Sequence, residues 1–87
     1  PIGFEKLYYL TLAGINQYNY KIKEMQTKSG FIIFTDNNNK TFLASIIYVS
    51  STKSMLKLTP CDNTYNFTIH TPTNMFNYIE ANQLKTF

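Results

Sequence analysis

Eighty-seven residues, 44% hydrophobic, 16% aromatic and 15% charged, allow one domain with one core, since domains usually run to about 100–200 residues. A chain of this size buries roughly 60–65% of the surface that its unfolded form exposes, which leaves no room for a deep enclosed active site. The apolar fraction is too high for a disordered tail, and no uninterrupted apolar run exceeds four residues, as at Phe31 to Phe34, so nothing here reads as a membrane-spanning helix.

The formal charge of +3 comes from eight lysines against five carboxylates, with no arginine. Arginine is the usual tool for bidentate phosphate and guanine contacts. The lysines are also scattered, with only Lys21, Lys23 and Lys28 near one another, whereas a nucleic-acid footprint needs a patch or stripe. Nucleic acid is therefore not an expected partner. Cys61 is the only cysteine, so no intrachain disulfide can form, and the expectation is a small side chain in a partly buried loop. The start at Pro-Ile-Gly-Phe, without an initiator methionine or a signal-like stretch, suggests a single domain spanning 1–87 that is processed or excised from a longer protein.

In chain order, Phe4, Tyr8, Leu12 and Ile15, with Leu7 beside them, mark one face of a helix from about Phe4 to Gln17. Gly14 weakens its last turn, and Asn16 and Asn19 suit a helix end. From Tyr20 to Lys28 the pattern alternates, with Lys21 and Lys23 on one side, as on an edge strand guarded against pairing. Ser29-Gly30 is a turn. Phe31 to Thr35 is a strongly apolar strand, Asp36 to Lys40 a polar hairpin loop, and Thr41 to Val49 a third strand. Ser50 to Ser54 turns the chain into a fourth strand, Met55 to Thr59, closed by Pro60. In the next segment Tyr65, Phe67 and Ile69 alternate with polar residues, as a short fifth strand or as an extended loop that docks aromatics onto the core. Thr71 then reads as a helix N-cap with Pro72 at the first helical position. Met75, Phe76 and Ile79 supply the buried stripe of that helix to about Asn82, which would make Phe76→Ala cost roughly 3–5 kcal/mol.

The order α-β-β-β-β-α, with short loops between strands, predicts an α+β two-layer sandwich: a four-stranded antiparallel meander with two helices on one face. One sheet face should then be apolar and the other polar. The middle strands depart from this, because both of their faces are apolar. One candidate face comprises Phe31, Ile33, Phe42, Ile46 and Tyr48, and the other Ile32, Phe34, Leu43, Ile47 and Val49. Alternation within each strand does not decide which lies beneath the helices; the first set is taken as the candidate binding face. Four or five such side chains cover several hundred Å², a size that marks interaction surfaces, unless the sheet curls and the stretch from Tyr65 to Ile69 covers them.

Catalytic and metal chemistry find little support. Cys61 and His70, oriented by Asp62 or Asn63, would make a nucleophile and base, but mostly extended chain separates them and no oxyanion-hole motif accompanies them. One cysteine and one histidine do not close a zinc site. Asp36-Asn37-Asn38-Asn39 has the composition of a calcium loop without the EF-hand's glycine and distal glutamate. Glu5, Glu24, Asp36, Asp62 and Glu80 form no adjacent pair, and Gly3, Gly14 and Gly30 form no phosphate-cradling loop. No cofactor is expected. Asn39-Lys40-Thr41 and Asn66-Phe67-Thr68 match the N-glycosylation acceptor, a triplet common by chance in a chain rich in Asn and Thr.

The passage from helix to strand at Asn19-Tyr20-Lys21-Ile22, the hairpin from Asp36 to Lys40 and the closing helix from Pro72 to Asn82 give the chain an outline that resembles the TATA-box-binding-protein-like and helix-grip-like domains. These include the small repeated domains of the bacterial outer-membrane assembly lipoprotein BamC. The resemblance implies a non-catalytic domain of the bacterial cell envelope that binds another protein, and it carries over no functional residue. The function expected is thus a non-enzymatic interaction domain, by self-association or with a protein partner through an apolar sheet face. The alternative is a module that holds a small apolar ligand or lipid in a pocket between sheet and helix. An enzyme using Cys61 and His70 comes third.

Overall fold

The computed structural model describes residues 2–61 and 70–84. The elements are α1 (Phe4–Gln17), β1 (Lys21–Gln26), β2 (Phe31–Thr35), β3 (Thr41–Ser50), β4 (Lys53–Pro60) and α2 (Thr71–Asn82). The strands form one antiparallel sheet in the order β1-β2-β3-β4, and the two helices share one core on one of its faces. This is the α+β two-layer arrangement expected from the element order. The stretch predicted as a fifth strand or docking loop, with Tyr65, Phe67 and Ile69, lies outside the described residues. No described helix is long and apolar enough to cross a membrane.

α1 has the predicted bounds but a rotated stripe. Its buried residues are Leu7, Tyr8, Leu10, Thr11, Gly14 and Ile15, while Phe4 and Leu12 are only half-buried. Thr11 can be buried because its hydroxyl donates to the Leu7 carbonyl at 2.8 Å, which satisfies the group within its own helix. The helix ends in a Schellman turn. Asn19 takes the left-handed conformation (φ 59°), its N–H donates to the Asn16 carbonyl at 3.1 Å, and the Tyr20 N–H donates to the Ile15 carbonyl at 3.0 Å. Asparagine is the residue after glycine that best tolerates this conformation. Its side chain is exposed, whereas Ile15 and Tyr20 on either side both enter the core.

The aromatic rings that follow set the order of the core. Tyr18, Tyr20, Phe34 and Phe42 stack in series, with centroids 5.5, 5.7 and 5.7 Å apart and interplanar angles of 20°, 13° and 23°. The stack runs from the end of α1 across β2 into β3. Leu7, Tyr8 and Ile15 of α1, Ile32 of β2, Ala44 and Ile46 of β3 and Met75 of α2 complete the buried cluster, with Leu56 and Leu58 of β4 packed against it. α2 approaches α1 at Gly14, where a Cβ would lie 3.1 Å from both Met75 Cε and Tyr78 Cδ2. The glycine that weakens the helix locally thus admits the second helix.

α2 differs from expectation in two ways. Its N-cap is His70, without a side-chain cap, because the Thr71 hydroxyl instead donates to Asp36 Oδ2 at 2.7 Å; Pro72 is then the second helical residue. The stripe also turns by one residue. Thr71 and Met75 are buried, whereas Phe76 is 44% exposed. Successive positions in a helix lie about 100° apart, so seating Met75 against Gly14 swings Phe76 to the flank.

Gly30, in the turn between β1 and β2, adopts φ 77°, and a Cβ there would sit 2.5 Å from Phe4 Cζ and 3.0 Å from the Ile46 carbonyl oxygen. Backbone conformation and space therefore both require glycine. Gly30→Ala is expected to cost about 2 kcal/mol, mostly from the left-handed conformation, and to push the Phe4 ring outward. Urea melts check this, and a loss under about 0.5 kcal/mol would contradict it.

Candidate functional site

Residues paired across antiparallel strands point to the same side of the sheet. Phe34 pairs with Phe42 and Ile32 with Ala44, while Ile33 pairs with Leu43 and Phe31 with Ser45. The faces predicted from sequence are therefore each a mixture. Phe31 and Ile33 do lie on the outer face, away from the helices. Phe42 and Ile46 lie on the inner face and are fully or almost fully buried there. Tyr48 pairs with Ser54 on that inner side, yet it is 63% exposed, next to the register shift between Tyr48 and Ser50. Of the second set, Ile32 and Phe34 are core residues, Leu43 and Ile47 belong to the outer face, and Val49 is exposed at the irregularity.

The physical reason is the hairpin. Asp36 to Lys40 is a five-residue connection that pairs Thr35 with Thr41, so odd positions of β2 share a face with odd positions of β3. The loop is held in this length from inside. Asp36 Oδ1 accepts the backbone N–H groups of Asn38 and Lys40 at 2.8 and 2.9 Å, Asp36 N–H donates to the Lys40 carbonyl at 2.8 Å, and Asn39 takes φ 61°. The aspartate's other oxygen accepts from Thr71, which fixes the hairpin to the start of α2.

The corrected outer face carries Phe31 and Ile33 of β2, Leu43 and Ile47 of β3, and Met55 of β4, the last paired with Ile47. Phe31, Ile33 and Leu43 are half-buried among their neighbours on the sheet, and Ile47 and Met55 are 43% and 55% exposed. Ser45 of β3 sits among them, between Leu43 and Ile47. Polar residues frame them: Lys21, Glu24 and Gln26 on β1 and Lys57 and Thr59 on β4, with a Thr35–Thr41 hydroxyl contact of 3.3 Å at one end. Both helices pack on the opposite face. Met55 is the member that sequence reasoning missed, since its strand was read as apolar on one face only.

Concavities also indent the rest of the described surface, among them an open one of about 400 Å³ on α1, lined by Glu5, Tyr9, Leu12, Ala13 and Asn16. A groove of about 220 Å³ lies between α1, β4 and α2, walled by Leu7, Leu56, Phe76 and Ile79. The Ser54 hydroxyl at its edge is buried without a hydrogen-bond partner among the described residues. A polar niche of about 250 Å³ lies beside the β2–β3 hairpin, lined by Tyr20, Asn37, Asn38, His70, Thr71 and Asn74. Asn74 Nδ2 donates to the Tyr20 hydroxyl at 3.3 Å, and Asn37 Nδ2 donates to the Tyr18 carbonyl at 3.2 Å. Cys61 follows β4 and is exposed, not partly buried as expected, although its N–H is held by the Thr41 carbonyl at 2.8 Å. It is not among the residues lining the niche around His70, and Asp62 and Asn63 lie outside the described residues. No group of three or more His, Cys, Asp or Glu side chains is positioned to hold a metal among the described residues.

No protein-family model matches the chain, and no curated protein or solved structure matches it.

Proposed function

We propose that the chain is a non-enzymatic interaction domain that docks onto protein through the outer face of its sheet. The observation that supports this is the apolar set Phe31, Ile33, Leu43, Ile47 and Met55, contiguous over three strands and opposite the face that both helices cover. A two-layer fold needs only one apolar sheet face for stability, so an apolar second face is surface that docking could use. A contiguous patch of this kind, rimmed by polar residues, has the anatomy of a recognition surface. The groove between sheet and helices at Phe76 holds about 220 Å³, below the roughly 300–1,000 Å³ of small-molecule sites, which argues against a small apolar ligand held between sheet and helix. A larger cell-envelope protein is the proposed setting, supported by the likeness in element order alone.

Position-specific photocrosslinking tests the reading. A benzophenone side chain at Ile47, on the outer face, should give discrete protein adducts in the cells that make this chain. The same group at Glu80, exposed on α2, should give none of them. Leu43→Lys should abolish the Ile47 adducts while thermal unfolding stays cooperative. Equal labelling from both positions, or adducts from Glu80 alone, would remove the outer face from the proposal.

A further inference from the structure

We propose that the occupant of the outer face is a second copy of this chain, an inference that rests on reading that face as a docking surface. The copies pair sheet to sheet about a two-fold axis parallel to the strands, with Glu24 of each facing Lys57 of the other. The distribution of charge on the face is what selects this partner and this axis. Pairing puts Lys21 and Glu24 of β1 on the outer face, the register shift between Ile22 and Glu24 bringing both to one side with Lys23 at the shift itself. It puts Lys53 and Lys57 of β4 there too, with no charged residue from β2 or β3. Charge is therefore confined to the two edges, and acid occurs at only one of them.

Two sheets that pack face to face lie about 10 Å apart with strands within about 30° of each other. A two-fold axis across the strands would lay β4 over β4 of the copy and set Lys53 and Lys57 against their own counterparts. An axis along the strands lays β1 over β4 of the copy instead. Glu24 is level with Ile33, Leu43 and Thr59 in the register, and Lys57 is two residues along β4 from Thr59. Glu24 and the opposing Lys57 are then offset by about 7 Å along the strand, within reach of two long side chains. The symmetry makes this pair twice. Lys21 lies on the far side of Glu24 from Lys57, so it does not oppose the contact. The same axis stacks β2 on β3 and brings Ile33 over Leu43, so that the apolar centres coincide while the edges pair.

The size of the face sets the strength. Four strands about 4.8 Å apart and about five residues long cover roughly 300 Å² in plan, well below the ~800 Å² per partner of a standard stable interface. With +3 on each copy opposing approach, the dimer is a weak one that forms at micromolar concentrations or above.

The test is sedimentation velocity on the whole chain from about 1 μM to about 1 mM, a range chosen for an interface of this small size. The expected result is a weight-average mass that climbs from monomer toward twice that value. Glu24→Lys and Lys57→Glu should each weaken association about tenfold by placing like charges face to face, and the double variant should return to within about threefold of the original. Both positions are exposed, and far-UV circular dichroism verifies that each variant folds. A monomer at the highest concentration would overturn the proposal, as would a double variant no better than the single ones. If the chain stays monomeric while Ile47 still crosslinks to a different protein, the docking face stands and the second copy is excluded. If it is monomeric and Ile47 gives no adduct, both readings fall.

Discussion

Replacing Phe34 with alanine is expected to lower stability by about 3–5 kcal/mol, the upper range for truncation of a buried aromatic. Phe34 is fully buried and stacks between Tyr20, which follows the α1 cap, and Phe42 of β3, at 5.7 Å each. Its loss removes apolar burial and both ring contacts, and it opens a cavity between rigid neighbours, which collapse poorly. Phe76→Ala should by contrast cost less than about 1.5 kcal/mol, since a half-exposed ring forfeits only part of its transfer energy. Urea denaturation of the two variants side by side checks both values. Equal losses would mean that α2 packs through Phe76 after all. Met75→Ala should fall near Phe34→Ala, because Met75 is fully buried against Gly14.

Phe76 shows where sequence reading reaches its limit. Hydrophobic periodicity located both helices and all four strands, because local alternation and helical spacing are properties of the segment itself. It did not orient α2, because Met75 and Phe76 are adjacent and equally apolar, and the choice between them depends on the space that Gly14 leaves on another helix. The same is true of Thr71. Its type and position suit an N-cap, but a buried carboxylate thirty-five residues earlier competes for its hydroxyl.

The candidate face was legible in composition but not in phase. That both sides of β2 and β3 are apolar is plain from Phe31 to Phe34 and from Phe42 to Val49. Which residues share a side depends on the parity of one loop. Counting the five residues from Asp36 to Lys40 in a closed hairpin would have grouped Phe31 and Ile33 with Leu43 and Ile47. The count gives the side of Tyr48 but not its exposure, and it does not reach Val49, because the register shift there is a backbone irregularity with no marker residue.

That loop parity depends on Asp36, and Asp36→Ala is expected to cost about 2–4 kcal/mol, as removal of a buried, multiply bonded carboxylate does. The residue is 5% exposed and accepts three hydrogen bonds, from Asn38 N–H, Lys40 N–H and the Thr71 hydroxyl. Alanine leaves the buried Thr71 hydroxyl without this acceptor and frees the hairpin to change its length, hence its register. Asp36→Asn should cost only about 1 kcal/mol. Its carbonyl oxygen still accepts the two backbone N–H groups, and its amide donates to the Thr71 oxygen, at the loss of the charge assistance. Thr71→Val should cost about 1–2 kcal/mol, with the carboxylate keeping its backbone partners. The double variant Asp36→Ala/Thr71→Val should then be more stable than the sum of the single losses by about 1 kcal/mol or more, the signature of a direct contact. Strict additivity in urea melts would mean that hairpin and helix are not joined through this pair. The geometry also predicts where the damage shows. Amide exchange in Asp36→Ala should rise first at Asn38 and at Asn74, whose N–H bonds the His70 carbonyl at 2.9 Å in the first turn of α2, while the β3–β4 ladder stays protected.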